Sequence, residues 1–164
     1  MLGGLVGCQA DAEALSETLE RGLDEVRDRG ERFPRKLKTF FEEWDEPLIS
    51  GIRWVEELVA IAGGTPIFPE LSLAGLARDR IVNPDEVARR DPEVIFASWC
   101  GKRMRKGTIT GRRGWEHVTA VRDDHIFEIK SAYILQPGPA SLTDGVRQLQ
   151  TAYCRIHGLP ALSS

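Results

Sequence analysis

At 164 residues with 41% hydrophobic content, the chain has the length and apolar share for one packed domain, which excludes a disordered or disulfide-stapled polypeptide. A formal charge of −3 and a pI near 5.7 exclude a globally basic nucleic-acid binder, so any anion binding must come from a local patch. Cys8, Cys100 and Cys154 are too widely spaced for a disulfide framework or a structural zinc site, and no segment approaches the ~20 apolar residues of a membrane span.

The opening MLGGLVGC superficially resembles the end of a lipoprotein signal with Cys8 as the lipidated residue, but no basic residue precedes it. Ala12, Leu15, Leu19, Leu23 and Val26 then advance by three and four residues, predicting a long amphipathic helix over 11–29, ended by Gly30 and Pro34. Lys38 to Phe41 reads as a short buried strand. Ile52, Val55, Leu58, Val59 and Ala62 recur at helical spacing until Gly63-Gly64, predicting a helix over 50–62. Glu42 to Ser50 between them is expected to be a loop at a strand exit. It carries Glu42, Glu43, Asp45 and Glu46 around Trp44, with Pro47 to stiffen the turn.

A connector through Pro66 and Pro69 leads to Asn83-Pro84-Asp85-Glu86, a helix start in which Asn83 caps, Pro84 suits the first position and two acids face the positive end of the helix dipole. Val94 to Ser98 is a near-continuous apolar run, as expected of a strand buried on both faces of a parallel sheet. Directly after it, Lys102, Arg103, Arg105, Lys106, Arg112 and Arg113 form a basic patch, read as a solvated loop, with contact to an anionic ligand group or to lipid head groups as the alternative. No aromatic side chain is interleaved among these charges, so the stacking platform of a single-strand binder is missing.

Trp115 to Ala120 is expected as a short helix with Trp115 as a packing anchor, His125 to Ile129 as a third strand and Ser131 to Ala140 as a loop. Leu142, Val146, Leu149, Tyr153 and Ile156 mark a last helix. Helices alternating with strands imply an α/β fold: a three-layer sandwich with a mainly parallel sheet, preceded by a long helix.

The motifs of turnover are missing. His117, His125 and His157 lack the spacing of a metal pair, so no metal site is expected. Neither a G-x-S-x-G elbow nor a phosphate loop occurs, and Cys100 has no identifiable histidine partner. Strand-exit loops rich in Trp, Tyr, acids and amides suit binding better than catalysis, and no cofactor is expected.

The blocks EEWDEPLISGIRWVEELVAIAGG, RIVNPDEVARRDPEVIFAS and ILQPGPASLTDGVRQL, with the helix pattern around Ala12 to Val26, resemble the substrate-binding proteins of ABC importers for cobalamin and iron chelates. That class has two lobes joined by a long helix. The wording E-E-W-D-E-P and W-C-G-K looks like the cobalamin-binding branch; iron-siderophore and haem binding of the same class stay open, as does an interaction module without a ligand of its own.

The resemblance implies capture of a large flat ligand and delivery to a membrane permease by a periplasmic or extracellular, membrane-associated protein. If Met1 is the true start, the chain as written would be cytoplasmic. Residues 1–33 match the inter-lobe helix and a remnant of the first lobe, and residues 34–164 the second lobe. The face where a first lobe would pack is a candidate for pairing with another protein. By the same resemblance Trp44 would lie against the ligand, Glu43 and Asp45 would accept hydrogen bonds from it, and Leu48, Trp99, Tyr133 and Gln136 would complete the site. Asp85 or Glu86 matches a carboxylate that docks onto permease arginines.

Overall fold

The computed structural model describes residues 7–160, so the signal-like opening lies outside the described residues except for Gly7 and Cys8. Helix α1, Gln9–Glu31, extends beyond both predicted ends and buries only Val26 and Gly30. Its early turns face outward, with Leu15 51% exposed. The last turns are tied to the body, where Gln150 Nε2 donates to the Val26 carbonyl at 2.6 Å.

Strand β1, Leu37–Asp45, is the centre of the sheet. One of its edges is shared: β3, Gly64–Pro66, pairs parallel with its first residues, and β2, Leu48–Ser50, pairs antiparallel with its last. Along the other edge lies β4, Val94–Ala97, parallel and in the register Thr39 to Val94, Phe40 to Ile95, Phe41 to Phe96 and Glu42 to Ala97. Strand β5, Ile126–Glu128, adds parallel to β4.

The connections are α2, Arg53–Ile61, a 3-10 turn at Ala77–Arg80, α3, Pro84–Arg90, α4, Lys106–Thr110, α5, Thr119–Arg122, and α6, Ser131–Ile134. A wide turn at Ser141–Gly145 leads into α7, Val146–Ile156.

The pleat sorts the core into two layers. Phe41, Val94 and Phe96 pack with Val55, Leu58 and Val59 of α2 and Val146, Leu149 and Tyr153 of α7, while Phe40, Ile95 and Ala97 pack on the opposite face with Val87, Ile109, Trp115 and Ile126. Alternation of period two makes each strand contribute to both layers. This is the expected α/β sandwich with a mainly parallel sheet and a long leading helix.

Three expectations of structure are corrected, one of them being Ser131 to Ala140, which is not all loop but opens with helix α6. Glu42 to Ser50 is not a loop: β1 runs on to Asp45, turns through a cis Glu46-Pro47 bond and returns as β2, with an irregularity in register between Glu42 and Trp44. Its density of acids reads as solvent-facing, yet Arg112 neutralises Glu42 inside the sheet and so lets the strand continue. Trp115 to Ala120 is not a helix either. Trp115 is fully buried in a turn, its Nε1 donating to the Pro84 carbonyl at 3.1 Å, and helix α5 begins only at Thr119.

Local signals held where they had a stereochemical cause. Asn83 Oδ1 accepts from the Asp85 N–H at 2.9 Å with Pro84 beside it, as a capped helix start requires. Beyond α2, Gly63 takes the left-handed conformation at φ 107° that an L side chain resists. Gly64 opens β3, a strand too short for a periodic signal, and its missing Cβ makes room for Tyr153, whose Oη lies 2.8 Å from Thr39 Oγ1.

Candidate ligand-binding site

The parallel strands β1, β4 and β5 deliver their carboxyl ends to one edge of the sheet, the place where open α/β sheets take ligands. The edge is built on Glu42. Its side chain is fully buried, and Arg112 donates from Nη1 to Oε2 at 2.6 Å and from Nη2 to Oε1 at 2.8 Å. Trp99 Nε1 donates to Oε1 at 3.0 Å. Burial pushes the Glu42 carboxyl above its ordinary range, and the Arg112 guanidinium pulls it back. The same guanidinium lies 4.5 Å from the centre of the Trp115 ring. Arg112 and the two tryptophans thus brace the strand exits from within.

Above this layer sits Lys102. Its Nζ forms an ion pair with Asp45 Oδ1 at 2.5 Å and lies 4.5 Å from the centre of the Trp44 ring and 5.0 Å from that of Trp99. A cation over ring faces is held by their quadrupoles as well as by the carboxylate. Trp44 is half-buried and fixed in turn by its Nε1, which donates to the Glu46 carbonyl at 2.8 Å.

Two adjoining cavities open here. One, of about 680 Å³, is lined by Asp45, Trp99, Lys102, Arg103, Met104, Arg105 and Thr108. The other, of about 620 Å³, shares Trp99, Lys102 and Arg103 and reaches Glu128, Lys130, Ser131 and Ala132 after β5.

Among the residues expected from the sequence, Asp45 and Trp99 meet at the first cavity, and Trp44 stands behind Lys102 without lining it. Trp99 is only 4% exposed, so its edge rather than its face is offered. Leu48 is likewise 4% exposed and packs into the core beneath the hairpin. Glu43 points to the other side of β1, where its carboxylate takes Arg80 Nη1 at 2.6 Å, Arg80 Nη2 at 3.2 Å and the Ile52 N–H at 3.1 Å. Tyr133 and Gln136 are exposed and line neither cavity, although Ser131 and Ala132 just before them line the second.

Asp85 and Glu86 lie on α3, outside both cavities. Asp85 is exposed, whereas Glu86 is held by Arg89 and Arg90, which lower its carboxyl to about 2. Among the described residues no group of three or more His, Cys, Asp and Glu side chains is placed to hold a metal ion.

Lys102, Arg103, Arg105 and Arg112 were read from the sequence chiefly as a solvated loop, with contact to an anionic group only the alternative, and none was chosen as a site residue. Their signal was an excess of cations directly after one strand, opposite an excess of acids after another. Charge counting along the chain reads each run as solvated, and only the sheet order β1-β4 sets the two runs side by side.

Matches to known proteins agree with this architecture. A model of the periplasmic binding protein family matches residues 1–133. Among curated proteins none matches the sequence. Among solved structures, a possible iron-binding periplasmic solute-binding protein of Staphylococcus epidermidis superposes with a TM-score of 0.78 at 17% identity, covering 93% of this chain and 58% of that one. A protein of the Fe3+-hydroxamate transport system of Saccharomonospora viridis superposes with a TM-score of 0.75 at 20% identity, over 93% of this chain and 52% of its own. The periplasmic vitamin B12 binding protein BtuF of Vibrio cholerae superposes with a TM-score of 0.61 at 22% identity, over 85% and 51%. At these identities the likeness is one of fold, and this chain spans between half and three fifths of each of those structures. By sequence match and by fold, the chain belongs to the periplasmic binding protein family, a family of solute-binding proteins.

Proposed function

We propose that this chain forms a ligand-binding lobe of an ABC-importer binding protein, one that captures a corrinoid such as cobalamin and passes it to a membrane permease outside the cytoplasm. The carrying observation is the cavity of about 680 Å³ at the carboxyl edge of the sheet, where Asp45, Trp99 and Lys102 meet beside Trp44. A cavity of that size lies in the range of small-molecule sites and has room for only part of a large flat chelate, as expected of one wall of a cleft. Trp44 supplies rigid apolar area and Asp45 an acceptor. Leu48 serves as support beneath them. An iron-siderophore or haem ligand is the alternative within the same class.

Residues 1–33 are proposed as the arm leading to a further lobe, a reading supported by the outward face of α1. For permease docking Asp85 is the better placed acid, since Glu86 is already shared between Arg89 and Arg90.

Calorimetric titration of the full chain with cyanocobalamin, haemin and a ferric siderophore tests the reading. Saturable binding is expected, tightest for cyanocobalamin. A folded sample that gives no heat with any of them overturns it.

A further inference from the structure

Arg80 is the one basic residue fully buried among the described residues, at 1% exposure, and it lines neither cavity. It ends the 3-10 turn beside the hairpin of β1 and β2, where the Val82 N–H donates to the Leu48 carbonyl at 2.9 Å and Ser50 Oγ to the Arg80 carbonyl at 3.3 Å. A guanidinium is costly to bury unless acceptors meet its donors. Here Nη1 donates to Glu43 Oε2 at 2.6 Å and to the Ser50 carbonyl, and Nη2 donates to Glu43 Oε1 at 3.2 Å. Glu43 Oε2 also accepts from the Ile52 N–H at 3.1 Å, at the start of α2. One buried side chain thus ties β1, β2 and the entry to α2 together.

Glu43 is the irregular residue of that hairpin. Glu42 pairs with Ser50 and Trp44 with Ile49, so Glu43 is an extra residue of β1 without a counterpart in β2. Such a bulge interrupts the ladder, bends its strand and re-aims the side chains beyond it. The next two are Trp44 and Asp45, and both meet Lys102 at the edge of the cavity. Where the ladder is interrupted, something else must fix the backbone. The planar fork of Arg80 grips the bulged residue on one strand and a carbonyl on the other, a geometry that a single ammonium cannot reproduce.

We propose that Arg80 is a positioning residue for the binding site: through Glu43 it fixes the bulge in β1, and the bulge sets where Trp44 and Asp45 stand. Its effect on affinity rests on the proposed chelate-binding function, whereas its effect on the placement of Trp44 is read without any ligand.

The full chain is labelled with fluorotryptophan, and the fluorine resonance of Trp44 is assigned by its loss in Trp44→Phe. Arg80→Met alone strands the Glu43 carboxylate and is expected to lower the thermal transition. The double variant Glu43→Gln/Arg80→Met removes both charges and is expected to regain most of that loss. Its Trp44 resonance is expected to shift or broaden while those of Trp54 and Trp115 stay in place. Titrations with cyanocobalamin, haemin and ferrichrome are expected to show the chelate that the parent chain binds held about tenfold or more weakly by the double variant. Arg80→Lys keeps the buried charge without the fork, and is expected to show both changes in smaller measure; it carries the test if the double variant does not fold. Arg53→Met, which removes an exposed ion pair with Glu57 on α2, changes neither reading.

A Trp44 resonance that stays in place in a folded variant overturns the proposal whatever the titrations give. Affinity that returns to the parent value together with stability also overturns it, because Arg80 would then be a structural residue only. No binding of any chelate by the parent chain overturns the proposed function instead, and the fluorine resonance alone then decides whether Arg80 places Trp44.

Discussion

Arg112 closes on Glu42 through both carboxylate oxygens at 2.6 and 2.8 Å, joining the connection after β4 to a fully buried residue of strand β1. Taking away Arg112 leaves a buried carboxylate without its counter-charge and with only the Trp99 N–H to hold it, and breaking a buried pair in this way costs about 3–5 kcal/mol. Arg112→Ala is therefore expected to lower the urea unfolding midpoint sharply. The double change Glu42→Gln/Arg112→Met, which removes both charges, is expected to lose much less.

Gly64 carries a steric prediction. A Cβ there would lie 2.1 Å from Tyr153 Oη and 2.8 Å from Thr39 Oγ1, both buried. Gly64→Ala is expected to destabilise the fold by about 1–3 kcal/mol or more through overpacking. Tyr153→Phe costs only about 0.5–1.5 kcal/mol, and combined with Gly64→Ala it relieves part of the clash. A double-mutant cycle on chemical unfolding checks this coupling.

Glu56 makes stability depend on pH. Burial raises its carboxyl to about 8, with Gly51 and Arg80 pulling the other way. In the unfolded chain the group ionises near its ordinary 4.5, so above that pH the folded state holds a proton the unfolded state has lost. The contribution is fully present below the unfolded value and fades as pH rises toward 8, at up to ~1.4 kcal/mol per unit. Glu56→Gln should flatten this dependence, measured as urea midpoints between about pH 5 and pH 8.

Trp44 is the test of the aromatic wall. With its Nε1 bonded to Glu46 and Lys102 against its ring, the side chain is held in one orientation. Trp44→Ala is expected to weaken chelate binding about tenfold or more with little loss of stability. Titration calorimetry beside a thermal melt separates the two effects.

The long helix, the capped start at Asn83 and the buried strand β4 were legible because each obeys a short-range rule: repeat spacing, cap chemistry or a continuous apolar run. Strands β2 and β3, of three residues each, are too short for any periodic signal and exist because β1 offers them an edge. At the site, Trp44, Asp45 and Trp99 were singled out as strand-exit residues. The sequence did not separate the outward Asp45 from the inward Leu48, nor Glu43, which serves Arg80 instead.

Periodicity and composition alone decided the α/β class, the long leading helix and the two-faced burial of the central strands, since these follow from the spacing of apolar residues within one segment. Tertiary structure alone decided which charges are spent. Ion pairs such as Glu42 with Arg112 and Asp45 with Lys102 join residues far apart in the chain, and only the pairing of β1 with β4 brings them within contact. The basic run after β4 is visible along the sequence, but that the cavity it lines also takes in Asp45 of β1 follows only from that pairing.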